Sequence, residues 1–172
     1  NQDKSGNLIS KNTKFISQLE KVKNIFYKFL QISHLVGDGY YAKKDFIDGA
    51  VDLGYKFVGK LRKDANLKYY YIGAYRGKWC PRKYGGKVKF SDLRSFNYEV
   101  LEDSKIELYS KIVYHVSLKR KIKVVCAVYK NSRQSILFST DIDLNAETIY
   151  EYYAARFQIE FIFRDAKQYF GL

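Results

Sequence analysis

Four residues near the end of the chain combine the side chains needed to hold a divalent cation and a phosphate. They are Tyr153, Arg156, Glu160 and Lys167. The stretch from Asn145 to Phe170 reads as one long helix, with Asn145 or Asp143 able to cap its start. Glu147 lies in its first turn and Gly171 follows its end. At about 100° per residue the four side chains fall within an arc of roughly 60°. A carboxylate in such a stripe can ligate a hard cation, while the guanidinium, ammonium and phenol can hold phosphate oxygens. The apolar residues Ile159, Ile162, Phe163, Ala166 and Phe170 gather on another side, which predicts that the helix packs there. By periodicity alone the favoured reading is an ordinary surface face, with an Arg156–Glu160 pair worth a few tenths of a kcal/mol.

A fifth residue, Asp38, follows the short apolar run Ile32–Gly37. An acid at the carboxyl end of a parallel strand lies where α/β folds place ligand sites. It is also a common turn former or helix cap. From the residues alone the two readings stand side by side. Phe15–Leu30 has helical apolar spacing, Tyr41–Leu53 has it again with Gly54 as a stop, and Tyr55–Leu61 (YKFVGKL) reads as a second strand. Helix, strand, helix, strand predicts an α/β layer with parallel pairing.

After Arg62 the character changes. Residues 63 to about 103 are basic and aromatic, punctuated by Gly73, Gly77, Pro81 and Gly85-Gly86. From Lys105 to Ile142, alternating runs separated by turns at Leu118–Arg120 and Asn131–Ser132 predict a β-meander. The expected division is a core segment at 1–62, a basic β-rich insertion at 63–104, a meander returning to the core at 105–142, and a core helix at 143–172.

Composition narrows the chemistry. The 172 residues carry a net charge of +13, and between Lys56 and Ser91 eleven Lys or Arg face a single acid, Asp64. An excess of that size predicts a polyanionic partner, nucleic acid before an acidic membrane surface. Tyr69, Tyr70, Tyr71, Tyr75, Trp79 and Tyr84 interleave with these cations, a mixture that suits phosphate and base contacts and also ordinary β-sheet packing. Cys80 and Cys126, with only His34 and His115 beside them, offer no zinc-ligand spacing. No run is long and apolar enough to cross a membrane, and the polar start from Asn1 to Lys14 gives no expectation of a signal peptide.

The spacing Tyr153, two residues, Arg156, three residues, Glu160, six residues, Lys167 resembles the Y-(2)-R-(3)-E-(6)-K signature of bacterial insertion-sequence DDE transposases. The flanking text YYAARFQIEFIFRDAKQYFGL, the segment VGDGYYAKKDF around Asp38 and the segment KLRKDANL are similar to that family. The resemblance implies an RNase H-like α/β core, partial because its first strands precede this chain, with a β-rich insertion before the last long helix. It further implies that Asp38 and Glu160 are the second and third acids of a triad holding two Mg²⁺ (or Mn²⁺) ions. Tyr153, Arg156, Lys167 and Arg62 would bind DNA phosphates, and Trp79 is a candidate for stacking on an extruded base.

The implied reaction is cleavage and strand transfer on double-stranded DNA, element ends and target, by a homodimer in the bacterial cytoplasm. The first acid and the end-recognition region are expected upstream of Asn1, and a pairing segment beyond Leu172, so this chain alone is expected to be inactive. The alternatives are another RNase H-like nuclease and a non-catalytic nucleic-acid-binding module.

Overall fold

The computed structural model describes residues 10–26, 31–74, 77, 80–101 and 106–171. It contains three helices and eight strands among these residues: α1 (Lys11–Phe26), β1 (His34–Gly37), α2 (Lys44–Asp52), β2 (Lys56–Leu61), β3 (Leu67–Tyr70), β4 (Tyr84–Lys87), β5 (Asn97–Leu101), β6 (Ile106–His115), β7 (Arg120–Val128), β8 (Gln134–Ser139) and α3 (Ala146–Phe170). The predicted elements are present with trimmed ends. The first helix begins earlier than its apolar spacing, and its expected last turn, 27–30, lies outside the described residues, as does Trp79.

All eight strands belong to one sheet, in the order β1-β2-β8-β7-β6-β3-β4, with β5 also paired to β6. β1 and β2 are parallel, joined by α2 as the crossover, and His34 to Gly37 pair with Lys56 to Gly59 in register. Every other pairing is antiparallel, so the strands after Arg62 extend the sheet that β1 and β2 begin.

The crossover helix is short because its end is encoded locally. Gly54 has φ +84°, its N–H donates to Val51 O at 2.8 Å, and the Tyr55 N–H donates to Ala50 O at 2.9 Å. These two bonds close the last turn in the glycine-dependent manner that returns the chain directly to β2.

Alternation along the strands divides the core between two faces. On one face Phe57, Leu67, Val113, Ile122, Val124, Ile136 and Phe138 pack under α2, which contributes Phe46 and Ile47. α1 lies over α2 as an outer layer, with Ile16 against Gly49. On the opposite face Val58, Leu108, Val125, Ala127 and Leu137 receive Ala146, Ile149 and Tyr153 of α3. α3 is held by its first two turns and begins as expected, the Asn145 side chain accepting from the Thr148 N–H at 2.7 Å.

The packing of α3 departs from the sequence expectation in two ways. Tyr153, assigned to a polar stripe, is buried at 8% exposure, while the predicted packing residues Ile159, Ile162 and Phe163 are 54–66% exposed. Helical periodicity locates stripes around an axis, but the sheet decides which length of the helix is covered. Here it covers the amino-terminal part.

Candidate active site

Asp38 is the residue immediately after β1, at the carboxyl end of the parallel pair. Its Oδ1 accepts the Tyr40 N–H at 2.8 Å and its carbonyl accepts the Tyr41 N–H at 3.2 Å, so it also shapes the turn that leads into α2. Asp38 is thus a turn former that stands at the strand end. The carboxylate is exposed, and its Oδ2 has no hydrogen-bond partner among the described residues.

The backbone beneath Asp38 is set by two glycines. Gly37 pairs with Gly59 across the parallel strands. A Cβ on Gly37 would stand 2.8 Å from Phe57 Cζ, and one on Gly59 would stand 2.6 Å from Phe57 Cε1. The Phe57 ring thus occupies the space that side chains at these two positions would need, with Phe46 and Phe138 at centroid distances of 5.7 Å on other sides.

α3 reaches this end of the sheet by crossing β1 and β2. At the start of β1, His34 Nε2 lies 3.3 Å from Asp141 Oδ2, and its ring meets Tyr152 edge-on at 5.4 Å. This contact ties β1 to the helix one residue before Tyr153. Burial pushes the Tyr153 phenol above its ordinary pKa, Arg156 opposes this, and the Asp38 carboxylate adds a smaller upward push. By geometry, α3 packs against β1 and β2, so the signature helix lies along the strand that ends just before Asp38.

From Tyr153 the stripe continues along α3. The Arg156 guanidinium lies 5.5 Å from the Tyr153 ring and 4.6 Å from the Phe157 ring, and it donates to Glu160 Oε1 at 3.1 Å. Arg156 Nε is buried and finds no acceptor among the described residues. Glu160 is exposed, with Oε2 unpartnered among the described residues, and Lys167 is exposed two turns further on. Tyr153, Glu160 and Lys167 are each seven residues apart, which spaces them by about 10 Å along the helix.

Arg62 lies at the end of β2, the same end of the sheet as Asp38, and forms an exposed pair with Asp64 at 3.2 Å. Together with Gly39, Lys60, Lys63, His115 and Gln134 it lines a cavity of about 880 Å³ on the α2 side. His115 is the residue of this cavity that sequence reasoning passed over. It is 6% exposed, its Nδ1 accepts the Leu118 N–H at 3.2 Å, and burial lowers its pKa to about 4. The neutral ring carries its proton on Nε2. A lone histidine in a strand gives no sequence signal of this role, because the turn that engages it is a tertiary feature.

The donor set suits a hard cation. Asp38 and Glu160 each keep one carboxylate oxygen unpartnered among the described residues, and both are oxygen donors. Among the described residues no three His, Cys, Asp or Glu side chains gather as a metal-holding group. No helix among them is long and apolar enough to cross a membrane.

No curated protein matches this chain. The family model described as "Transposase DDE domain" matches residues 9–172, nearly the whole length. That family acts on DNA, in general with divalent metal ions. With the mixed α/β sheet and the long carboxyl-terminal helix, this match establishes that the chain belongs to the DDE transposase domain family.

Proposed function

We propose that the chain carries two of the three acids of a transposase active site, Asp38 and Glu160, and that these ligate divalent cations at the end of β1. The observation that supports this most is the packing of α3 against β1, which brings the helix that carries Glu160 onto the strand that ends just before Asp38. In this reading residues 1–62 and 143–172 supply the core, and the strands between them form the insertion and the return to the core. The first acid, expected upstream of residue 1, completes the set, and two copies of the protein act together on the element ends.

The proposed reaction is hydrolysis of a phosphodiester in duplex DNA. Water oxygen bonds to phosphorus and the P–O3′ bond breaks; the freed 3′-hydroxyl then loses its proton and bonds to a target phosphorus, whose own P–O3′ bond breaks to release a target 3′-hydroxyl. Bound Mg²⁺ or Mn²⁺ would supply Lewis-acid stabilisation of the attacking and leaving oxygens. Asp38 is pre-oriented by the Tyr40 N–H, which leaves Oδ2 for a cation. Glu160 is held by Arg156 until substrate phosphates compete for that guanidinium. Arg156 and Lys167 then bind the DNA backbone beside the cut, with the Tyr153 hydroxyl as a neutral donor and Arg62 on the neighbouring strand end.

A non-catalytic binding module is the second reading, favoured by the Arg156–Glu160 pair, which already satisfies part of Glu160. Substitution separates the two. Glu160→Gln and Asp38→Asn in the full-length protein are expected to abolish cleavage of an end-bearing duplex in Mg²⁺ or Mn²⁺ while leaving DNA binding intact. Cleavage that survives in either variant excludes the catalytic assignment.

A further inference from the structure

The sheet extends well beyond α3, and the uncovered part of its α3-side face carries a row of lysines. Leu108 and Val125 contact α3, so by alternation Ile112 and Tyr114 of β6, and Lys121 and Lys123 of β7, point to that same side. Register extends the row across the next strands: Lys121 is opposite Tyr114, Tyr114 is opposite Lys68, and Lys68 is opposite Lys87. Four adjacent strands thus read Lys, Tyr, Lys, Lys, over about 14 Å at the usual strand spacing.

Three observations mark this row as a ligand surface. Lys68 and Lys87 are directly opposed like charges, an arrangement that destabilises a sheet unless an anion lies over it. None of Lys68, Lys87, Lys121 and Lys123 has a carboxylate within salt-bridge range among the described residues. The described strands contain two acids, Glu99 and Glu107, and both lie at the far end of β6, where it pairs with β5. Seven residues separate Glu107 from Tyr114, about 23 Å of extended chain.

The tyrosines of the patch choose between two modes of nucleic-acid contact. Tyr84 stacks on Tyr114 at 4.4 Å and 26°, and Tyr70 lies 5.9 Å from Tyr84. Lys68 and Lys83 lie over the Tyr84 ring at 6.0 and 5.6 Å. The rings are occupied by one another and by ammonium groups, so they offer hydroxyls to a backbone more readily than open faces to bases.

We propose that Lys68, Lys87 and Lys121, with Tyr114 between them, form a second DNA-binding surface that takes the phosphate backbone of a duplex without reading its sequence. Its distance from the proposed cut rests on the assignment of Asp38. In the strand order β7 is three strands from β1 and β4 is six, and register sets Lys121 about four residues back along the strands from Asp38, so the row lies about 19 to 32 Å from Asp38. At 3.4 Å per base pair the surface meets the duplex roughly six to nine base pairs from the scissile phosphate.

The test is duplex affinity as a function of salt, using the 172-residue chain and a 20-base-pair DNA of arbitrary sequence. A Lys68→Ala/Lys87→Ala/Lys121→Ala variant, checked for unchanged circular dichroism, is expected to lose about 3 from the slope of log K against log salt. Lys11→Ala/Lys14→Ala/Lys21→Ala, an equal charge loss on α1, is expected to change the slope by less than 1. Equal slopes for the two triples, or an undiminished slope for the first, overturn the proposal. So does a single strand that binds more tightly than the duplex and is insensitive to the first triple. Glu160→Gln leaves this surface intact, so a failed catalytic assignment shows in cleavage while the slope difference remains.

Discussion

Replacing Gly37 by alanine tests how the fold delivers Asp38. The added methyl would stand 2.8 Å from Phe57 Cζ, 3.0 Å from Cε2 and 3.4 Å from Tyr41 Cβ. Phe57 is 1% exposed and packed among Phe46 and Phe138, so its ring has little room to retreat. Overpacking of this kind costs about 1–3 kcal/mol. In a chain of this size that lowers Tm by about 2–4 °C per kcal/mol. Urea unfolding of Gly37→Ala, Phe57→Leu and the double variant closes a thermodynamic cycle. Leucine lacks the Cε and Cζ atoms, so the double variant is expected to be more stable than the sum of the single effects by at least about 1 kcal/mol. Gly59→Ala meets the same ring but is not adjacent to Asp38. It is expected to destabilise comparably while sparing Mn²⁺ binding, which Gly37→Ala weakens. Additivity within about 0.5 kcal/mol, or equal Mn²⁺ affinity in the two alanine variants, refutes the reasoning.

Two further predictions concern stability. His115 is held neutral with a pKa of about 4, so between pH 6.5 and 4 the unfolded chain binds a proton that the folded chain refuses. Stability from this residue is therefore complete above pH 6.5 and falls as pH drops towards 4, by on the order of 3 kcal/mol. Urea titrations across this range are expected to show the loss, and His115→Asn, which keeps an acceptor for the Leu118 N–H, is expected to flatten it. Asn145→Ala removes the cap on Thr148 and is expected to cost about 1 kcal/mol in urea unfolding, whereas Asn145→Asp retains the cap and costs little.

The parts of this account legible in the sequence are those encoded locally. The turn at Gly54, the cap at Asn145 and the Asp after a short apolar run each depend on residues within a few positions of one another. The spacing of Tyr153, Arg156, Glu160 and Lys167 was equally readable, because one helix carries all four. The burial of Tyr153 was not readable, since it depends on how far the sheet extends beneath α3. Nor were the exposed Ile159 and Ile162, for the same reason. The lysine row required register: Lys68, Lys87 and Lys121 lie far apart in sequence and are aligned only by three strand pairings. His115 became visible once the turn carrying Leu118 closed onto its Nδ1.

The central claim is that Asp38 and Glu160 serve one cation site, and paramagnetic broadening by Mn²⁺ in the ¹⁵N-labelled chain tests it most directly. Broadening is expected at residues 38–41 and at Tyr153–Arg164 at the same low Mn²⁺ concentration. Both sets of signals should recover together in Asp38→Asn and in Glu160→Gln. Broadening confined to one of the two segments, or persisting at one when the other carboxylate is removed, would contradict it.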